Sequence, residues 1–344
     1  MTGKTKRLHP DNWVGTLKDF QEWYGSEAVE QARKVILGES FEDRVVSHAL
    51  RYFICDYWND HTTPTLLLLS HDSVNGKSDC LTSVAVPLIL INGAIDIHDD
   101  VVDRSEKKDG RPTVYGKFGE EIALLIGDAL LMKGFMMLAL VCRNLDGEKC
   151  SDILNTLKQG LFELGQAEVM ELRYRGLADV KPTEYLNVAK KKAADVEALM
   201  RIGAMLGNAK KSEIEALGKY GRILGLISIL RDDVIDMTLQ EELGHRLKHE
   251  CLPLPLIYAM ENTKVRAELL DLVGAKDKTA NDYELIRKLT NQGCGFERTK
   301  SYIDQLRKSG EALTLRLKSK TQLRFLLTSL ADVSEYELFS PNAI

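Results

Sequence analysis

Proline is scarce in this 344-residue chain: eight residues, with no Pro/Gly/Ser-rich linker. That argues for one domain, with residues 1–10 as a short basic tail and 11–344 as a single unit. At 44% apolar, the chain is long enough to bury a large core. A basic stripe is also missing. Lys and Arg number 46 against 51 Asp and Glu, for a net charge of −5, which speaks against a nucleic-acid partner. The opening "MTGKTKRLHP" has no apolar h-region, so no secretory signal is expected there. None of the six cysteines forms a CxxC pair, and a reducing cytoplasm is the expected location. His245 and His249 stand four apart, but no further ligands surround them and no zinc site is expected.

Period-two alternation is absent too, and helical spacing fills its place. Apolar residues recur at three and four over 15–36, 41–57, 80–103, 118–143, 151–174, 182–208, 211–237, 254–273, 282–290, 296–318 and 321–337. Turn signals such as "VNGKSD", "KKDGRP" and "RNLDGEK" separate these segments. Several are apolar over much of their circumference, as the inner helices of a bundle are. The fold expected is all-α, a large single-domain helical bundle around a deep central cavity. The run "IALLIGDALLMKGFMMLALVC" (122–142) is nearly long enough to cross a bilayer. Asp128 and Lys133 inside it are costly in hydrocarbon, so a buried core helix is expected, and not an integral membrane protein.

Two acidic clusters stand out. "HDDVVD" places Asp99, Asp100 and Asp103 at i, i+1 and i+4, and "RDDVIDM" repeats the pattern with Asp232, Asp233 and Asp236. On a helix these positions share one side and repel one another. A hard divalent cation offsets such repulsion, and Mg²⁺ characteristically takes one or two carboxylates together with substrate phosphate oxygens. Facing triads would hold Mg²⁺ around a diphosphate and let an allylic carbon–oxygen bond ionise. Apolar walls would shelter the hydrocarbon tail.

The stretches "HDDVVD…GRPTVYGKFG…ALLIGDALL", "GQAE", "YLNVAKKKAA", "RDDVIDM" and "LPLIYAM" together resemble the trans-prenyl diphosphate synthases, the polyprenyl synthetase family that includes geranylgeranyl diphosphate synthases. The resemblance runs from about residue 60 to the C-terminus. It implies a Mg²⁺-dependent, homodimeric, all-helical prenyltransferase with all six aspartates as catalytic metal ligands. It also implies diphosphate contacts from Lys108, Lys192 and Gln166, and a tail-length pocket at Ala94 and Ile95.

The other half of the family's site departs from the pattern. The family's Gly-Gly-Lys-Arg-x-Arg-Pro is "WNDHTTP" here, so Asp60 and His61 stand where Lys and Arg are expected. Asp109 replaces the second arginine after the first triad, Ser228-Ile229 replace Phe-Gln, and Cys251 and Leu252 occupy the region of a missing lysine. Three cationic positions change from about +3 to about −2 near pH 7. Carboxylates repel a diphosphate. The expected activity is therefore ionisation of an allylic prenyl diphosphate and transfer of the prenyl group to an unknown acceptor other than isopentenyl diphosphate. A terpene cyclase, a chain-elongating synthase and a non-catalytic partner subunit are the alternatives. Asp96, on the face of Asp99 and Asp103, is an extra acid of open role.

Overall fold

The computed structural model describes residues 15–78, 80–108, 110–315 and 317–334. Asp109 and the basic tail, both singled out from sequence, lie outside them.

Polar residues at the helix starts set the element boundaries. Thr16 opens α1 (Leu17–Leu37) with a reciprocal cap. Its hydroxyl accepts from the Asp19 amide at 3.2 Å, and Asp19 accepts from the Thr16 amide at 2.8 Å. Asp43 caps α2 (Arg44–Arg51), which runs into a π-helical turn, Tyr52–Tyr57. Asp60 accepts from the first two amides of α3 (Thr62–Asp72), Thr62 and Thr63, at 2.8 and 2.9 Å. The first triad ends α4 (Leu81–Val102). After it come a small hairpin, β1 (Lys107–Lys108) with β2 (Arg111–Pro112), and then α5 (Val114–Phe118) and α6 (Glu120–Cys142). Asp146 caps α7 (Gly147–Leu172). The chain continues through α8 (Pro182–Lys192), α9 (Ala194–Leu206), α10 (Lys211–Thr238), α11 (Gln240–His249) and α12 (Leu254–Met260). It closes with α13 (Thr263–Gly274), α14 (Ala280–Gln292), α15 (Gly295–Thr314) and α16 (Lys320–Ala331).

The fold is all-α, as expected. Helix α4 lies along α6, α9 lies against α3, α7 and α10, and α10 also meets α15. Leu67, Leu69, Ile89, Ile227 and Leu230 are wholly buried where these helices meet, each worth about 1.5–3 kcal/mol relative to exposure. Gly134 permits the close α4–α6 approach, because a Cβ there would meet Ile91 at 2.6 Å and the Pro87 carbonyl at 2.9 Å.

Three expectations need correction. The helix read over 182–208 is two, broken at Ala193, and that read over 254–273 breaks between Met260 and Thr263. Helices α3 and α11 were not anticipated: α3 is almost entirely buried and α11 is mostly polar, so neither displays a clean apolar stripe. The third concerns the apolar run 122–142. It is not a buried core helix. Only 28% of its most apolar window is buried. Ala123, Ile126, Leu130 and Leu138 face α4, while Leu125, Met132, Met136 and Leu140 are exposed.

Candidate active site

The C-terminal end of α4 and the last turns of α10 bring the two triads to one cavity of about 500 Å³. Asp99, Asp103, Asp232 and Asp236 line it. Asp100 and Asp233 do not: they are 1% and 0% exposed and sit behind the cavity wall. The sequence treats the triad members as equals; the fold separates them into four lining groups and two supporting ones.

Each supporting aspartate has a dedicated partner. Lys108 Nζ lies 2.7 Å from Asp100 Oδ1 and 3.7 Å from Asp99 Oδ2. Asp233 accepts from the Tyr185 hydroxyl, from Arg246 Nη2 at 2.6 Å and from the Leu254 amide at 3.1 Å. Arg246 also lies 2.9 Å from Glu250 and 3.7 Å from Asp236. One guanidinium therefore ties α11 to the second triad.

Three of the lining carboxyls, Asp103, Asp232 and Asp236, are held well above the ordinary aspartate range. Burial raises Asp103 to about 8, reinforced by Asp99 and Glu250. Burial and then Asp236 raise Asp232 to about 7. Asp236 is raised to about 6 by burial, against the pull of Arg246. Arg175 beside Asp103 and Arg246 near Asp236 offset this crowding of carboxyls only in part, which suits the cluster to a cation brought in with an anionic substrate. Among the described residues no three His, Cys, Asp or Glu side chains form a ready-made metal site.

Lys108 and Lys192 both line the cavity, as the resemblance implies. Lys192 ends α8 and lies 2.6 Å from Glu171 and 3.1 Å from Glu168. Burial opposes the charge of each lysine, but the surrounding carboxylates outweigh it and keep both protonated. Gln166 is not brought to this site. It is exposed on α7, in a groove shared with Phe162, Val169 and Arg173. At 100° per residue it points roughly 140° away from Glu171, which does line the cavity. Ala94 is fully buried in helix packing and lines neither the aspartate cavity nor the narrow apolar channel of about 20 Å³ that Ile95 faces with Leu88, Leu157 and Leu161. That volume is close to the room for one water, so the smallness of Ala94 opens no deep pocket.

Asp60 and Asp96 have definite roles in the fold. Asp60 caps α3 and accepts from Asn92 at 3.3 Å. Asp96 accepts from the Trp58 indole at 2.6 Å, and burial raises it to about 7 despite Lys108 and Trp58. Sequence reasoning passed over Tyr185, Glu171, Arg175 and Arg246. Arg175 lies 2.6 Å from Asp103. The acids within "GQAEVMEL" signalled Glu171, since they lie in the Gln166 stretch already singled out. Tyr185 likewise opens the quoted stretch "YLNVAKKKAA", whereas Arg246 carried no comparable signal.

Comparison with known proteins agrees with this architecture. The polyprenyl synthetase family pattern matches residues 60–290. A geranylgeranyl diphosphate synthase of Methanosarcina mazei is 32% identical over 257 residues, covering 71% of this chain and 76% of that protein. A short chain isoprenyl diphosphate synthase of Methanothermobacter thermautotrophicus is 31% identical over 223 residues, or 62% of this chain and 68% of the relative. Among solved structures, a decaprenyl diphosphate synthase from Rhodobacter capsulatus superimposes with a TM-score of 0.80 at 20% identity, over 91% of this chain and 98% of that one. With two aspartate triads converging on one cavity of an all-helical fold, the chain belongs to the polyprenyl synthetase family and is a prenyltransferase.

Proposed function

We propose that this prenyltransferase binds an allylic prenyl diphosphate with Mg²⁺, ionises it, and transfers the prenyl group to an acceptor other than isopentenyl diphosphate. The donor set fits Mg²⁺: four lining carboxylates on two helices, too few on either side to close a site alone, leave positions for water and phosphate oxygens. When bound, Mg²⁺ would neutralise the leaving diphosphate. Lys108 and Lys192 supply ammonium donors beside it, and Tyr185 and Arg246 hold Asp233 and the end of α10 in place. Ile229 and Val188, on the cavity wall, exclude water from the reacting carbon.

One observation carries the choice of acceptor. Asp60 stands where the family has a lysine, and its carboxylate is committed to the Thr62 and Thr63 amides and to Asn92. A second diphosphate would meet negative charge there. The relatives' names favour a second reading, chain elongation with isopentenyl diphosphate. Calorimetry separates the two: the proposed activity requires isopentenyl diphosphate to bind far more weakly than an allylic diphosphate with Mg²⁺, and micromolar binding of both supports elongation.

The homodimer implied by the resemblance belongs to the same proposal. Leu125, Met132 and Met136 on α6, with Phe162 and Val169 on α7, are between 50% and 70% exposed. A second copy covering them would remove an unusually apolar surface from water. Light scattering tests this, and Met136→Glu is expected to shift a dimer toward monomer.

A further inference from the structure

A second cavity, of about 540 Å³, adjoins the aspartate cavity and shares Lys107, Glu242 and His245 with it. The segments that follow the two triads build its walls. From the first comes the turn after α4, where Arg104 takes the left-handed conformation (φ 56°). From the second comes α11, with His245, Lys248 and His249. The two segments are joined, because Ser105 Oγ lies 3.3 Å from His245 Nε2, which is also 3.4 Å from Glu250.

Its charge is unusual for this protein. Nearly every cation in the aspartate cavity is committed to a carboxylate. Arg104, Lys107 and Lys248 have no ion-pair partner among the described residues, although Glu106, Glu241 and Glu242 share the wall. Burial, and then the charges of His245, Arg104, Lys248 and Arg175, hold the pKa of His249 below the ordinary histidine value. The three cations and three glutamates of this wall cancel in formal charge, but the cations make no ion pair among the described residues, so their donors are open to an anion seated between them.

We infer that this cavity is an anion site for a phosphate or diphosphate group, held by Arg104, Lys107 and Lys248 beside the paired histidines. Arginine and lysine in combination match phosphate oxygens, with arginine giving the directional contacts. The shared wall places such a group next to the reacting diphosphate. Two sources have this chemistry: diphosphate released by the reaction, and a phosphoryl group carried by the second substrate. The inference does not depend on the choice of acceptor, since anion binding can be measured without turnover.

The test uses the full chain freed of metal with a chelator, so that the carboxylates of the aspartate cavity repel anions. Inorganic phosphate and inorganic diphosphate are titrated by calorimetry, with ³¹P line broadening as a second readout. Saturable binding at about 1 mM or tighter is expected, weakened at least about tenfold by Arg104→Ala with Lys248→Ala and kept by Asp232→Asn. Both substitutions are at exposed positions, and circular dichroism checks the fold. With Mg²⁺ and substrates present, relief of diphosphate product inhibition in the double variant identifies released diphosphate as the ligand. A raised KM for the second substrate identifies its phosphoryl group instead. No saturable binding by the wild-type protein, or binding unchanged in the double variant, overturns the inference.

Discussion

The Tyr185 hydroxyl lies 2.8 Å from Asp233 Oδ1 and 2.6 Å from Oδ2, and donates to that carboxylate in a setting where both groups are buried. Arg246 and the Leu254 amide complete the arrangement. Asp233 is thus engaged by the protein, while its neighbour Asp232 faces the cavity. Tyr185→Phe is expected to cost about 1–3 kcal/mol of stability by removing a donor from a buried carboxylate. It should lower kcat about tenfold and leave the Mg²⁺ requirement alone. Asp232→Ala should lower kcat by at least about a hundredfold and raise the Mg²⁺ requirement. Thermal melts and Mg²⁺ titrations of activity separate the two.

The metal-free protein should lose stability as pH rises. Asp103, Asp232 and Asp236, at about 8, 7 and 6, bind protons in the folded state that the unfolded chain has released. Between the unfolded aspartate pKa, near about 4, and about pH 8, the native state carries more protons, so unfolding free energy falls with pH. The melting temperature in chelator should be lower at pH 8.5 than at pH 6. Asp103→Asn should narrow that gap, and a gap of the same size in the variant would show that Asp103 is not its source.

These groups also show what can be read from the chain alone. The triads were legible because three carboxylates at i, i+1 and i+4 must share one helix face. The bundle was legible from long helical periodicity. The break at Ala193 was not: it lies in an unbroken helix-forming run, and tertiary packing sets it. Gln166 was misplaced because a matching motif carries no helix phase, and five residues separate it from Glu171. The partners Tyr185 and Arg175 are distant in sequence from the aspartates they hold, and Arg246 follows Asp233 by 13 positions. Only the folded chain brings them together.

Asp60, which the resemblance aligns with a family lysine, also supports the start of α3. Asp60→Lys should cost about 0.5–2 kcal/mol through loss of the cap on Thr62 and Thr63. Combined with His61→Arg and Asp109→Arg, it should raise affinity for isopentenyl diphosphate, with the triple change exceeding each single one. Calorimetry on variants with intact melts checks this. No gain in the triple variant would mean that these positions do not set diphosphate affinity.

Tail length should respond to Ile95 and not to Ala94. Ile95→Ala widens the channel beside Leu88 and Leu161 and should favour longer allylic substrates, while Ile95→Phe should favour shorter ones. Ala94→Phe instead overfills a packed interface and should destabilise by about 1–3 kcal/mol. Competition between allylic diphosphates of different length reads the first effect, and melting reads the second.

The central claim, prenyl transfer without isopentenyl diphosphate as acceptor, is tested most directly by product analysis. The wild-type protein is incubated with Mg²⁺ and a radiolabelled allylic diphosphate, with and without isopentenyl diphosphate, and the labelled products are separated by chain length. The account predicts that the label never appears in an elongated diphosphate, and that Mg²⁺-dependent release of diphosphate is the same in both mixtures. A labelled product extended by isoprene units in the presence of isopentenyl diphosphate would contradict it and make the protein a chain-elongating synthase.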